Sequence, residues 1–386
     1  MLTRRCKACR HSVHEPLPQL DKKVIYLDQF AFSELFKVKS GTRRTSAPSQ
    51  EFWERTQNAL EQAVLLQQVV CPTSNIHFQE TMVFNRSTEL RQACELIGGD
   101  VSFLDTHEIE AKQFCAFADA FKQGLGVPQL SFDIDEILED ERNAWLPDMH
   151  ITTNMDFSVF ADEVRRHRES GSDAFTDLVR EWRKSKPNFK RQLQIELKGW
   201  GATLARTYAE VNERRINAMN SGDIDGTMSA ATHRVNILMR RLMSKFDVDR
   251  CDSSPRDRQQ FVDFMRWEGL EELPSHRISA YLFAALARRY ANGQSKLPTP
   301  GALNDFEAIA AYGPYVDAMF LDRECAALLA EEPLKSDLPI KGRIFSMATG
   351  NEFLEFLESL SGCATISVKS VASEVYGVIP NEIDVS

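Results

Sequence analysis

The sequence predicts an α/β fold in which a parallel sheet is flanked by helices and carries a large helical insertion. Short apolar runs closed by an acid occur near both ends of the chain, as VIYL before Asp28 and AMFL before Asp322. Such runs are typical of buried parallel strands. Between the two ends the sequence has a mostly helical pattern, with few strand candidates. One sheet domain assembled from both ends of the chain accounts for these observations.

The first part of the sheet domain, residues 21–99, has the order strand, helix, helix, strand, helix. The strand Val24–Leu27 leads into the amphipathic segment FAFSELFKV, and a longer helix follows in EFWERTQNALEQAVLLQQ. The second strand, VVCPTS, stops at Pro72. Ser74 is then a suitable N-cap for a helix that carries Glu80.

Residues 100–294 are predicted to form the helical insertion, and strands alternate with helices again over residues 295–386. There a helix begins at Asp305, a strand ends at Asp322, and the strand GRIFS precedes the helix NEFLEFLESL. The tail includes a candidate edge strand, ATISVKSV. These elements complete the sheet domain.

Composition and charge narrow the class of protein. The net charge of −10 argues against a protein that binds nucleic acid over its whole surface. However, residues 161–250 hold 18 Lys and Arg against 13 Asp and Glu. This basic segment is either a contact surface for phosphates or a solvated helical face. We expect no secretory signal and no membrane span, because the apolar stretches are too short. The eight Cys lack a framework pattern, which predicts thiols in a reducing cytoplasm.

The acids at the strand ends are the candidate site. Parallel strands end at one edge of a sheet, where open α/β sheets bind ligands. Converging carboxylates attract Mg²⁺ or Mn²⁺, because hard cations prefer oxygen ligands. Asp317 lies at the other end of its strand and is left out of the set, whereas Glu324 lies close to it. The pattern indicates a metal-dependent phosphodiesterase; the alternative is that these acids only cap helices.

At these residues the chain resembles the PIN domain family, a Rossmann-like group of metal-dependent nucleases. The resemblance is carried by YLDQF, CPTSNIHFQE, NDFEAIAAY, MFLDRE and GRIFSMATGNEFLEFL. It implies an acidic cluster of Asp28, Glu80, Asp305 and Asp322. In this cluster Asp28 and Asp322 bind the metal directly, Asp305 binds it directly or through water, and Glu80 orients water. The long insertion departs from the family pattern and separates the halves of the site.

The resemblance implies a cytoplasmic endoribonuclease that hydrolyses single-stranded RNA, with DNA as the alternative substrate. By family analogy it is a toxin or a defence effector with a protein partner or inhibitor. A second hypothesis is a catalytically silent PIN-like scaffold that binds a protein partner through the helical insertion. Metal binding separates the two hypotheses, because a cation site stabilises the native protein when the cation is present.

The leader, residues 1–20, contains a second candidate metal site. Two Cys and two His within nine residues supply the ligand types of tetrahedral zinc, although the loop between the pairs is tight. The alternative is a leader with incidental thiols, and a zinc-dependent nucleic-acid binder is a third reading of the chain. The residues are Cys6, Cys9, His11 and His14.

The basic segment supplies the candidate nucleic-acid contacts. Basic side chains bind a phosphate backbone, and aromatic side chains stack on unpaired bases. An amphipathic helix with its tryptophan in the core is the alternative. The residues are Arg180, Trp182, Arg183, Lys184, Lys186, Lys190 and Arg191.

Overall fold

The computed structural model of the chain describes residues 1–42, 49–84, 86–99, 101–145, 161–249, 252–297, 299 and 301–377. The fold is mixed α/β and mostly helical (64%). No helix among the described residues combines the length and apolar character needed to cross a bilayer. The strands are β1 (Leu2–Arg5), β2 (Ser12–Glu15), β3 (Lys23–Leu27), β4 (Val69–Val70), β5 (Ala318–Phe320) and β6 (Arg343–Phe345).

The helices surround the sheet and fill the middle of the chain. Short 3-10 helices cover Ile134–Ile137 and Glu268–Glu272. The α-helices are α1 (Gln29–Lys39), α2 (Gln50–Leu65), α3 (Asn75–Met82), α4 (Ser87–Gly98), α5 (Thr106–Lys122), α6 (Ala161–Ser185), α7 (Phe189–Ser221), α8 (Ile224–Thr232), α9 (Arg234–Lys245), α10 (Pro255–Met265), α11 (Pro274–Ala291), α12 (Ala302–Tyr312), α13 (Arg323–Leu329), α14 (Leu334–Asp337), α15 (Gly350–Gly362) and α16 (Ile366–Tyr376).

A four-stranded parallel sheet with the order β4-β3-β5-β6 forms the centre of the fold. In its register Leu27 pairs with Phe320, and Phe320 pairs with Phe345. Strands from the two ends of the chain are therefore neighbours, as the sequence predicts. Because β3 and β5 end side by side, the residues that follow them reach the same edge of the sheet.

Both faces of the sheet are buried. Along β3, Val24 and Tyr26 belong to one apolar core, whereas Ile25 and Leu27 belong to the core on the opposite face. This alternation follows from the two-residue period of a strand. Burial on both faces also explains why the strand is an unbroken apolar run.

The predicted insertion packs in two ways. Trp182 of α6 and Leu282 of α11 lie in the same core as Met319 of the sheet. Other apolar residues of the insertion form a separate core with α5, including Leu204 of α7 and Leu242 of α9. Part of the helical segment therefore completes the sheet domain, and the rest forms a helical layer beside it.

Two terminal segments differ from the predictions. The tail ATISVKSV is not an edge strand, because α16 begins at its third residue, Ile366. Thr365 caps this helix by accepting from the Val368 backbone N–H, and Val368 and Ala372 are buried one turn apart. The leader is a two-stranded hairpin, and Arg4 on β1 donates to Glu374 on α16 at 3.0 and 2.7 Å. The two ends of the chain therefore contact each other.

Candidate functional site

Two acids begin helices directly after neighbouring strands. The backbone N–H of Asp28 donates to the Phe320 carbonyl at 3.0 Å, which continues the strand pairing by one residue. The Asp28 side chain makes no capping bond to α1. By contrast, the Asp322 carboxylate accepts from the Cys325 backbone N–H at 2.6 Å and caps α13. The strand ends thus bring both carboxylates to the edge that the sequence predicts.

A metal-binding triad lies at this edge. Ligand atoms of Asp305, Asp322 and Cys325 all lie within 4.8 Å of one another. Asp305 lies in the first turn of α12, Asp322 is the N-cap of α13, and Cys325 lies in the first turn of α13. Two oxygen donors and one sulfur donor are thus gathered from two consecutive helices, which lie on either side of β5 in the chain.

Asp28 is electrostatically part of the same group. Burial, together with the charges of Glu80 and Asp322, raises the pKa of its carboxyl from 3.8 to about 7. Burial also raises the pKa of the Tyr26 phenol, and nearby carboxylates add to this effect. They are those of Asp28, Asp305 and Glu80. The four predicted acids therefore influence one buried neighbourhood.

Glu80 is positioned by the helix that carries Asp305. The side-chain amide of Asn304 donates to a Glu80 carboxylate oxygen at 2.9 Å. This bond joins α3 to α12 across more than two hundred residues of sequence. The helical insertion therefore does not keep Glu80 away from the second half of the site.

His77 has a structural role beside the site. Its Nδ1 accepts from the Ser74 backbone N–H at 3.1 Å, and its Nε2 donates to the Leu27 carbonyl at 2.7 Å. Burial lowers the pKa of the ring to about 4, so the ring is neutral near pH 7. Ser74 caps α3 as predicted. His77 thus fixes the last residue of β3, directly before Asp28.

Two other acids near the motif lie outside this group. The Asp317 carboxylate accepts from the Val24 backbone N–H at 2.9 Å, at the opposite end of the strands. Glu324 accepts from the Gln294 side chain at 2.8 Å. Asp317 thus joins the beginnings of β3 and β5, whereas Glu324 lies on α13 beside the cluster.

Cys325 is the site residue that the sequence reasoning missed. Its thiol is buried, and burial together with the charges of Asp305 and Asp322 raises its pKa well above the usual range. The spacing in the sequence could have identified it, because residues three apart at the start of a helix face the same side. Applied to Asp322, that spacing points to Cys325.

Trp182 does not stack on bases, and that expectation is wrong. Its side chain is 2% exposed and packs against aromatic rings of α11, including Tyr290 at a centroid distance of 6.4 Å. Its position on the apolar face of α6 therefore reflects core packing.

The basic residues around Trp182 are exposed, and one has a fixed position. Arg183 donates to the carbonyls of Gln294 and Ser295 at 3.1 and 2.8 Å. It lines an open surface cavity together with Lys186 and Tyr290. Since Gln294 also contacts Glu324, this surface lies next to the start of α13. Arg180 instead pairs with Asp177 within its own helix. The other predicted contact residues, which are also exposed, are Lys184, Lys190 and Arg191.

The four predicted zinc ligands of the leader are not brought together. Among the described residues, the triad at the sheet edge is the group of three or more such ligands that meets. His14 instead bonds to Thr3 at 3.0 Å. His14 lies on β2, whereas His11 precedes that strand. Cys6 and Cys9 do meet in the turn, where backbone N–H groups lower the pKa of the Cys6 thiol.

Comparison with protein-family models, with curated proteins and with solved structures gives no match to this chain.

Proposed function

We propose that the protein is a PIN-like, metal-dependent endoribonuclease whose active site is the acidic cluster at the carboxyl edge of the sheet. One observation carries the proposal: the buried Asp28 shares its surroundings with Glu80 and Asp322, and Asp305 lies within ligand distance of Asp322. Carboxylates crowded in this way resist simultaneous ionisation unless a cation joins them. The donor set therefore fits a divalent metal.

The residues of the cluster have different roles in the proposed reaction. Asp28, Asp305 and Asp322 hold Mg²⁺ or Mn²⁺, since hard cations prefer carboxylate oxygen. Glu80, held by Asn304, orients the attacking water. The metal, when bound, supplies Lewis-acid activation and offsets negative charge on the phosphate. The thiol of Cys325 stays protonated and packs beside the carboxylates, because its pKa is raised.

The substrate side of the proposal rests on the cationic surface beside α13. Arg183 and Lys186 line it, and Gln294 connects it to Glu324, two residues beyond Asp322. Cations beside a metal site are suited to bind the phosphates that flank the cleaved bond. Single-stranded RNA is the proposed substrate, with DNA as the alternative. A cytoplasmic location and a role as a toxin or defence effector follow from family analogy.

A partner-binding scaffold is the second candidate, and one feature of the helical layer favours it. Large apolar side chains are exposed around the turn between α7 and α8, where a partner helix could cover them. Their exposed fractions are 57% for Ile216, 57% for Met219, 75% for Ile224 and 59% for Met228.

Cleavage of labelled single-stranded RNA and DNA with Mn²⁺ tests the nuclease proposal. We expect wild type to cleave, and Asp28→Asn and Asp322→Asn to lose at least about 100-fold in rate, as is typical when a metal site is lost. Asp317→Asn is the matched control, because it changes an acid at the other end of β5 and retains an acceptor for Val24. Equal cleavage by all four proteins would refute the site. Absence of cleavage by wild type would favour the scaffold.

A further inference from the structure

A cavity of about 640 Å³ lies in the helical part of the molecule, between α5, α7, α9, α11 and α12. Its volume is in the range of pockets that hold small organic molecules. Much of its wall is apolar or aromatic, which suits the carbon skeleton of such a molecule. The wall residues of this kind include Trp200, Leu204, Leu238, Phe283 and Phe306.

Two carboxyl groups face this cavity from different helices. Glu110 on α5 makes no hydrogen bond within the described part of the chain, and burial raises the pKa of its carboxyl from 4.5 to about 7. Glu307 on α12 accepts from the Thr106 hydroxyl and lies 3.5 Å from Arg234. Glu307 is therefore partly neutralised, whereas for Glu110 only the charge of Arg234 opposes the effect of burial.

A buried hydroxyl in the same wall also has no partner. Ser275 at the start of α11 is 8% exposed, and its Oγ makes no hydrogen bond to any described residue. A buried hydroxyl without a partner is costly, so a ligand that supplies one stabilises the protein. The lining thus presents unsatisfied acceptors on two helices.

The charge of the lining selects the ligand. Of the other acids, Glu108 is held by Arg241 through two bonds of 2.6 Å. Burial lowers the pKa of His276 to about 4, so this ring is neutral at pH 7. Arg234 is already shared with Glu307. The lining therefore attracts a cation and disfavours an anion.

We propose that this cavity binds a small organic cation, an amine or a guanidinium compound with an apolar body. The cationic head lies between Glu110 and Glu307, and Ser275 accepts one of its N–H groups. The body packs against Trp200 and Phe283. This site is separate from the acidic cluster and does not depend on the nuclease proposal.

Thermal unfolding with tryptamine and with agmatine tests this proposal, with the neutral indole alcohol tryptophol as the uncharged probe. We expect a saturable rise in Tm with at least one of the two cations and a smaller rise with tryptophol. Glu110→Gln should weaken binding of the cation at least about tenfold, because the substitution removes the negative charge that pairs with it. Glu196→Gln, another largely buried carboxyl one turn outside the cavity, should respond as wild type does.

Ser275→Ala is a second test variant, and it should keep the fold. Since its hydroxyl has no partner, the variant without ligand should unfold at a Tm no lower than that of wild type, yet it should bind the cation about fivefold more weakly, as expected for one lost hydrogen bond. The proposal is overturned if neither cation shifts the wild-type Tm, if tryptophol matches them, or if Glu110→Gln responds as wild type does.

Discussion

Asp28 is buried and Glu110 is partly buried, and the pKa of each carboxyl is raised to about 7, but in different settings. For Asp28 the effect of burial is reinforced by two other carboxylates, Glu80 and Asp322. For Glu110 the effect of burial is opposed by Arg234 and reinforced by Glu307. The same shift in pKa thus marks two kinds of site. Several converging acids favour a divalent metal, whereas an acid without a hydrogen bond, in the wall of a largely apolar cavity, favours a monovalent organic cation.

The largest expected effect is that each site raises the Tm only in response to its own ligand. Asp28→Asn should abolish the rise in Tm that saturating Mn²⁺ gives wild type, roughly 5 °C, and should leave the response to tryptamine unchanged. Glu110→Gln should do the reverse. Thermal unfolding of both variants with both ligands measures this. If one variant lost both responses, the two regions would not be separate sites.

The pH dependence of stability comes next. Both pKa values are raised in the folded protein, so the unfolded chain ionises first, between about pH 4 and pH 7. Without metal, the free energy of unfolding should therefore fall over that range, by on the order of 4 kcal/mol for Asp28 and 3 kcal/mol for Glu110. Urea denaturation with EDTA at several pH values measures the fall.

Metal should then distinguish the two contributions. A cation bound at the cluster favours ionised Asp28, so Mn²⁺ should remove its share of the fall and leave that of Glu110. Asp28→Asn should remove the same share without metal. A fall that is unchanged in Asp28→Asn would show that this carboxyl is not the group that titrates.

A smaller effect is expected from the residue that positions Glu80. Asn304→Ala removes the bond to Glu80, so the rate of RNA cleavage should drop about tenfold while the affinity for Mn²⁺ stays within about threefold. Parallel measurements of the rate and of Mn²⁺ binding separate the two. Loss of Mn²⁺ affinity equal to that of Asp322→Asn would make Asn304 part of the metal site itself.

The smallest effect concerns the thiol. Because its pKa is raised, Cys325 should stay protonated, and Cys325→Ser should change the affinity for Mn²⁺ by less than about twofold. With Co²⁺, wild type should show no sulfur-to-metal absorption band. A strong band that disappears in Cys325→Ser would make this a thiolate site for a softer metal.

The sheet and its acids could be predicted because local patterns determine them. The apolar runs before Asp28 and Asp322 specify buried strands, and the parallel pairing of those strands places both acids at one edge. Ser74 was identified as a helix cap from residue type and position alone. In each case the information lies within a few residues of the chain.

Other features depend on contacts between distant segments. Trp182 and the basic residues around it share one helix, and only the packing of α11 shows which side is buried. The tail has β-branched residues typical of a strand, but the burial of Val368 and Ala372 follows a helical period. The cavity around Glu110 is formed by five helices, so no local motif predicts it.

Direct titration with Mn²⁺, followed by the electron paramagnetic resonance signal of the free ion, tests the central claim that the acidic cluster is a divalent-cation site. Wild type and Asp317→Asn should remove Mn²⁺ from solution with the same affinity. Asp322→Asn should bind at least about tenfold more weakly, because it loses a ligand. If wild type leaves Mn²⁺ free, or if Asp322→Asn binds as wild type does, the acids at the sheet edge serve the fold and not a metal.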